Sequence, residues 1–243
     1  MTIFYSIVFS LKEPKDNLYS YLPFFQLAAL RNTKTLKEGD TYALICDAET
    51  ALFLRRAPTL RDAKILVAPK PRSMLDGMAL KYILPGLMDL SGQAAVYMDL
   101  DILPLSPVDF QVPNDSILVL PEGPPTDSNY CGDFHLSLSA GLSAGFFAFR
   151  DGLRVRTLFK RILQRLGQTV KPYYTLDQPY FNDEISKISG LAIAMPPSVM
   201  SFNGHTHRGV ARLINFCGDP GDGPLHFQKI IEFFLSSFST YCR

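Results

Sequence analysis

The stretch that decides the fold reads Ala94-Ala95-Val96-Tyr97-Met98-Asp99-Leu100-Asp101-Ile102-Leu103-Pro104. An unbroken apolar run that ends in an acid reads as a strand buried on both faces and carried to the edge of a sheet. Runs of the same kind recur at residues 3–9, 42–46, 64–68, 116–120, 145–149, 192–195 and 213–216, each closing near Asp, Pro, Gly or Ser. Helical spacing fills the gaps. Leu18, Leu22, Phe25 and Ala29 share one face over residues 18–31, and residues 73–90, 153–166 and 226–241 repeat the pattern. Residues 153–166 carry a basic outer face of Arg154, Arg156, Lys160, Arg161 and Arg165. Strands alternating with helices predict an α/β three-layer sandwich around a mostly parallel sheet. No stretch has linker composition, so residues 1–243 read as a single domain. Residues 121–133 are irregular enough to predict a long loop, the kind that often carries function.

Composition narrows the function classes. The 243 residues hold 24 Lys+Arg against 23 Asp+Glu, a net charge of +1, without the basic excess of a nucleic-acid binder. With 47% hydrophobic and 19% charged residues the chain can bury a core. Cys46, Cys131, Cys217 and Cys242 show no metal-site spacing and are too few for a disulfide scaffold. The N-terminal apolar run is too short to span a bilayer and lacks the flanks of a signal peptide, and no other stretch reaches spanning length. A cytoplasmic, soluble protein is the expectation.

The acids carry the chemistry. Asp99 and Asp101 stand at i and i+2, and an extended backbone points both to one side. Two like charges held together raise a pKa unless a cation lies between them. Hard divalent ions, Mg²⁺ or Mn²⁺, take such oxygen ligands. Ligand sites in open α/β sheets lie at the carboxyl ends of strands, where this pair falls.

Three chemistries compete for it. One is sugar transfer, with a metal neutralising a diphosphate leaving group. Another is a haloacid dehalogenase-type phosphatase with Asp99 as nucleophile and Asp101 as general acid; Leu103 stands where Thr or Val is expected. The third is a serine hydrolase, since Gly141-Leu142-Ser143-Ala144-Gly145 satisfies GxSxG. That elbow must join a strand to a helix, and here a strand-like run follows it.

Four segments in order resemble the metal-dependent glycosyltransferases of the GT-A fold, in particular glycogenin-like and bacterial galactosyltransferase-like (family 8) enzymes and related mannosyltransferases. They are Ser73-Met-Leu-Asp76-Gly-Met-Ala-Leu-Lys81-Tyr with the Asp99-Leu100-Asp101 strand; Leu142-Ser143-Ala144-Gly145; Thr175-Leu-Asp177-Gln178-Pro-Tyr-Phe-Asn182; and Ile214-Asn215-Phe216-Cys217-Gly218 with Lys229 downstream. The last departs from the family pattern, because Asn215 replaces the expected metal-binding His. Asn215 or His226 is then the candidate third ligand beside Asp99 and Asp101.

The resemblance implies a nucleotide diphosphate sugar donor, a UDP-sugar favoured, and a hexosyl transfer to a glycan, lipid or protein acceptor. Asp177 and Gln178 would be catalytic, lying by the sugar ring, with retention of configuration expected. If Asp177 faced the acceptor hydroxyl it would instead act as base and invert. Ser10, Tyr19, Asp76, Lys81, Leu100, Ser143, Ala144, Gly145, Gly218 and Lys229 would join Asp99 and Asp101 in binding the donor, Tyr19 by stacking on its base. The loop 121–133 would be an acceptor flap. A non-catalytic nucleotide-sugar-binding protein is the non-enzyme alternative, encouraged by Asn215.

Overall fold

The computed structural model describes residues 1–90, 92–207, 209–216 and 223–238. In chain order the elements are β1 (Thr2–Val8), α1 (Leu22–Asn32), β2 (Thr41–Cys46), α2 (Ala48–Arg55), β3 (Lys64–Val67), α3 (Met74–Ala79), α4 (Leu84–Leu87), β4 (Ala94–Met98), β5 (Ile102–Pro104), β6 (Ile117–Gly123), α5 (Ser128–Cys131), β7 (Gly141–Arg150), α6 (Leu153–Gln168), α7 (Gln178–Ser186), β8 (Ala192–Ala194), β9 (Met200–Phe202), β10 (Leu213–Asn215) and α8 (Gly223–Phe238).

Seven of the eight apolar runs assemble into a seven-stranded sheet of order β3-β2-β1-β4-β7-β6-β8, while the run at 213–216 supplies β10 of a separate sheet. β3, β2, β1 and β4 are parallel, as are β6 and β8, while β7 runs antiparallel to both of its neighbours. The chain builds outward from β1 through β2 to β3, then returns to place β4 on the other side of β1. That reversal leaves a crevice at the carboxyl ends of β1 and β4.

Strand alternation divides the core in two. From β1, Phe4 and Val8 join a cluster covered by α1, α2 and α8, whereas Ile3, Tyr5 and Ile7 join one covered by α3, α4, α6 and α7. The sheet therefore has helices on both faces. The second core is built on aromatic rings: Phe147 lies 5.1 Å from Tyr97, 5.4 Å from Phe181 and 5.9 Å from Phe159. A small second sheet, β5-β10-β9, lies beyond the end of β4.

Three expectations change. The helix expected over 73–90 is broken, with α3 and α4 separated by a 3-10 turn at Leu80–Tyr82. Pro85 lacks the N–H that would bond Lys81 O, and its ring excludes that carbonyl from a helical ladder. Tyr5 takes over, donating its hydroxyl to Lys81 O at 2.8 Å. Secondly, the segment 121–133 is not all loop, because β6 runs on to Gly123 and α5 follows. Thirdly, α2 has no counterpart among the helices that the spacing predicts; Asp47 caps it, accepting from Glu49 N at 2.9 Å and Thr50 N at 3.1 Å. Among the described residues no helix is long and apolar enough to cross a membrane.

Phe147 is fully buried at the centre of the aromatic cluster. Phe147→Ala is expected to lower unfolding free energy by about 3–5 kcal/mol in urea titration, with Leu153→Ala, at an exposed site, as the control. A loss below about 1 kcal/mol would show that the cluster is not a packed unit.

Candidate active site

The acids at the end of β4 are not on a pleated strand. Ile102 N donates to Asp99 O at 2.9 Å, which closes a turn over Asp99-Leu100-Asp101. The expected extended backbone is thus corrected to a reverse turn, and the turn brings the two carboxylates together. Both acids are half-buried and open to a ligand. Leu100 is 7% exposed and belongs to the core, so its side chain anchors the turn.

Beneath the turn lies Gln26 of α1, fully buried. Its amide nitrogen donates to Asp99 O at 2.8 Å and Ile102 O at 3.0 Å. Its oxygen accepts from Tyr42 Oη at 2.9 Å and lies 2.6 Å from Ser6 Oγ, which also sits 2.6 Å from Met98 O. One side chain thereby clamps the turn to β1, β2 and β4, with every polar atom of its amide engaged. Sequence reading misses it, since a lone Gln at a helical apolar position gives no local signal.

Asp99 meets β7. Its N–H donates to Gly145 O at 2.8 Å, and a Cβ on Gly145 would lie 2.5 Å from Asp99 Oδ2, so only glycine fits beside this carboxylate. Tyr97 donates its hydroxyl to Asp99 Oδ1. Burial pushes the Asp99 carboxyl up to about 7, aided by Asp101 and Asp177 and opposed by Lys81 and the Tyr97 hydrogen bond.

A fourth acid joins them. Glu122, near the end of β6, is also pushed up to about 7, by burial first and then by Asp99, with a hydrogen bond from Ser143 opposing. Sequence reading passes over Glu122, though an acid after the apolar run 117–120 is the same signal that singles out Asp99. Tyr19 faces the pair from the β1 side: its hydroxyl is raised to about 12 by burial and by the charges of Asp101 and Asp99.

The predicted residues of β7 and α7 form a second, drier group. Lys81, 1% exposed, sends Nζ to Ala144 O at 3.0 Å and Asp177 Oδ2 at 3.1 Å, and lies 4.9 Å from the Tyr97 ring centroid. Asp177, 3% exposed, also accepts from the Tyr82 hydroxyl. Its side chain makes no helix-capping bond. It is buried and engaged by both Lys81 and Tyr82. Gln178 accepts from Ala144 N at 3.0 Å and donates to Asn129 O at 3.1 Å. Asn182 holds both the N–H and the C=O of Leu142, at 2.7 and 2.9 Å. Ser143 lies inside a buried stretch of β7, which removes the hydrolase elbow.

Other expected site residues are placed less favourably. Ser10 is buried, with Oγ accepting from Lys12 N at 3.2 Å in a local turn. Asp76 Oδ2 accepts from Arg72 N at 3.0 Å while Ser73 caps α3, so this acid closes its own helix start. Lys229 is exposed on α8. Asn215 is brought close: it ends β10, and the next residue, Phe216, donates N–H to Asp101 O at 3.0 Å. Gly218 and the side chain of His226 fall outside the described residues. Among the described residues, no three His, Cys, Asp or Glu side chains are grouped as a metal cage. A cavity of about 590 Å³ lies away from these acids, between Tyr82, Pro85 and the Arg156–Gln164 face of α6.

No protein-family profile matches this chain, and no curated protein matches it significantly.

Two outcomes follow from this geometry. Gln26→Leu leaves the turn carbonyls without their donor and is expected to cost about 2–3 kcal/mol in urea unfolding; a cost under about 0.5 kcal/mol would remove the clamp. The second concerns pH. Asp99 and Glu122 bind protons more tightly folded than unfolded, so between about pH 4 and 7 the folded state holds more protons. Their contribution is present below the unfolded pKa and is lost as pH rises through the folded one. The melting temperature of metal-free protein should therefore fall less between pH 5 and 8 in Asp99→Asn and Glu122→Gln than in the parent; identical slopes would contradict it.

Proposed function

We propose that this chain is a GT-A-type glycosyltransferase that moves a sugar from a nucleoside diphosphate sugar to a hydroxyl acceptor. One observation carries the reading. Asp99 and Asp101, partly exposed, are held on a clamped turn at the carboxyl end of β4, beside the point where the order of strands reverses next to β1. The second support is the buried Lys81, whose positive charge already reaches Asp99.

The donor set fits a hard divalent ion, Mg²⁺ or Mn²⁺. Two carboxylates stand together, and burial has raised one of them to about 7, a state that a bound cation relieves. Asp99 and Asp101 would hold the ion, and Asn215, on the strand beside Asp101, offers an amide oxygen of the same hard type. Such an ion supplies Lewis-acid neutralisation of the diphosphate that leaves.

The chain's own residues do the rest. Tyr19, 40% exposed and facing the acids, offers a ring for the base of the nucleotide. Gly145 leaves the Asp99 carboxylate the room to lie against β7, where it would face the ion. Lys81, fixed by Asp177 and the Ala144 carbonyl, adds positive potential without having to reorganise. Asp177 and Gln178 act as positioning residues: one holds Lys81, the other holds Ala144 of β7. Glu122 is the carboxyl whose proton exchanges near neutral pH and which stands by Ser143 and Asp99, so it is the group fitted to manage the acceptor proton.

A non-catalytic donor-binding protein remains the alternative that Asn215 favours, since an amide is a weaker cation ligand than the expected imidazole.

The test is thermal shift with UDP, GDP and their sugars, with and without Mn²⁺. A nucleoside diphosphate with Mn²⁺ at a hundred times its Kd is expected to stabilise the parent by about 2.7 kcal/mol. Asp99→Asn and Asp101→Asn should lose the Mn²⁺-dependent part. If no nucleoside diphosphate stabilises the protein, the reading fails. Binding without turnover to water or any acceptor selects the non-catalytic alternative.

A further inference from the structure

A second cavity, about 200 Å³, lies between α5 and the turn before α7, lined by Ser128, Asn129, Gly132, Asp133 and Tyr173–Thr175. It is built rather than incidental. Gly132 has φ +54°, and a Cβ there would lie 2.7 Å from the Tyr173 ring, so glycine lets this ring close the wall. Tyr173 Oη donates to Asp133 Oδ2 at 3.2 Å across the cavity. Thr175 Oγ1 donates to Asn129 O at 2.8 Å, joining the two sides. Leu176 follows in the left-handed region at φ +52°, a costly conformation for a branched side chain, held at the junction with Asp177.

The cavity adjoins the site. The Gln178 amide reaches Asn129 O at 3.1 Å on one side and Ala144 N at 3.0 Å on the other. Ala144 precedes Gly145, the glycine against Asp99. One side-chain amide therefore separates the cavity from the strand that borders the acids.

Its chemistry selects a ligand class. Tyr174 is 69% exposed and makes no ring contact or hydrogen bond among the described residues. The Ser128 hydroxyl and the Asn129 side-chain amide are likewise exposed and without partners among them. No Lys or Arg lines the cavity and one acid does, which disfavours phosphate and other anions. No aliphatic side chain lines it, which disfavours a lipid tail. Its volume falls below the roughly 300–1,000 Å³ of drug-sized pockets, too small for a nucleotide. Flat tyrosine faces with hydroxyl, amide and carboxylate edges match a neutral ring that carries hydroxyls on its rim.

We propose that this cavity is a carbohydrate subsite, taking one pyranose ring, and that the acceptor is accordingly a glycan rather than a lipid or an unmodified protein. Its role as acceptor subsite rests on the transferase reading; its binding of a sugar does not.

The test uses the full chain and saturation-transfer NMR with methyl α- and β-glycosides of glucose, galactose and mannose, with UDP and Mn²⁺ binding measured in parallel. At least one glycoside should receive saturation at its ring protons. Tyr174→Ala and Asn129→Ala should each weaken that binding at least tenfold and leave UDP binding unchanged, with Val170→Ala, at an exposed position, as control. A deoxy analogue should bind worse than its parent, because the polar rim would be left unpaired. No transfer to any glycoside, or transfer unchanged by Tyr174→Ala, overturns the subsite. Glycoside binding that depends on Tyr174 in a chain that binds no nucleoside diphosphate would uphold the sugar site and overturn the transferase reading.

Discussion

The buried ammonium of Lys81 is the charge around which the strand ends are arranged. A lysine taken almost wholly out of water is tolerable only with a counter-charge and full hydrogen bonding. Asp177 supplies the charge, the Ala144 carbonyl an acceptor and the Tyr97 ring a polarisable face. These partners come from the start of α7, from β7 and from β4, so satisfying one cation fixes three elements relative to each other. Tyr97 then passes the arrangement on, since its hydroxyl is bound to Asp99. Removing one partner of such a pair leaves an uncompensated charge, which is far more costly than never burying the pair.

The acids at the surface of this assembly are held against their own repulsion. Asp99 and Asp101 share a tight turn with Asp177 within electrostatic reach, and Asp99 is pushed up towards neutrality by burial first and by these two charges after it; Glu122 is raised in the same way, by burial and then by Asp99. Two devices hold the arrangement. Gln26 grips the turn by its carbonyls, a contact indifferent to the charge of the side chains above. Gly145 clears the space that any Cβ would take from Asp99. Local stability given up at such a point is characteristic of sites that are completed by a ligand of opposite charge.

Much of this is legible in the order of residues. The apolar runs mark β1, β2 and β4 most clearly, because residues buried on both faces leave a continuous hydrophobic signature, whereas the edge strands β3 and β8 are partly exposed. The acid after such a run marks the candidate site, because strand ends are where a sheet of this kind can bind. Less is legible where geometry depends on distant partners. The broken helix after Ser73 depends on Tyr5, which takes the carbonyl freed by Pro85. The turn at Asp99–Asp101 depends on Gln26, 73 residues away from Asp99. Ser10 and Leu100 read as donor contacts from their positions, yet burial claims both side chains. Asp177 reads as a sugar ligand, with a base or a helix cap as alternatives, and only the tertiary structure shows it held by Lys81 and Tyr82 without a capping bond.

Local pattern alone is enough to specify the α/β class of fold and the strand that ends in two neighbouring acids. Hydrophobic period, the chemistry of a carboxylate and the spacing of two acids are all properties of neighbours along the chain. Which groups share a site is a different matter, and tertiary contacts alone resolve it. They bring Lys81 to Asp177, Glu122 to Asp99 and the tyrosines of the turn before α7 to the edge of α5. Electrostatics and burial depend on distance in space, and separation along a chain does not encode that distance.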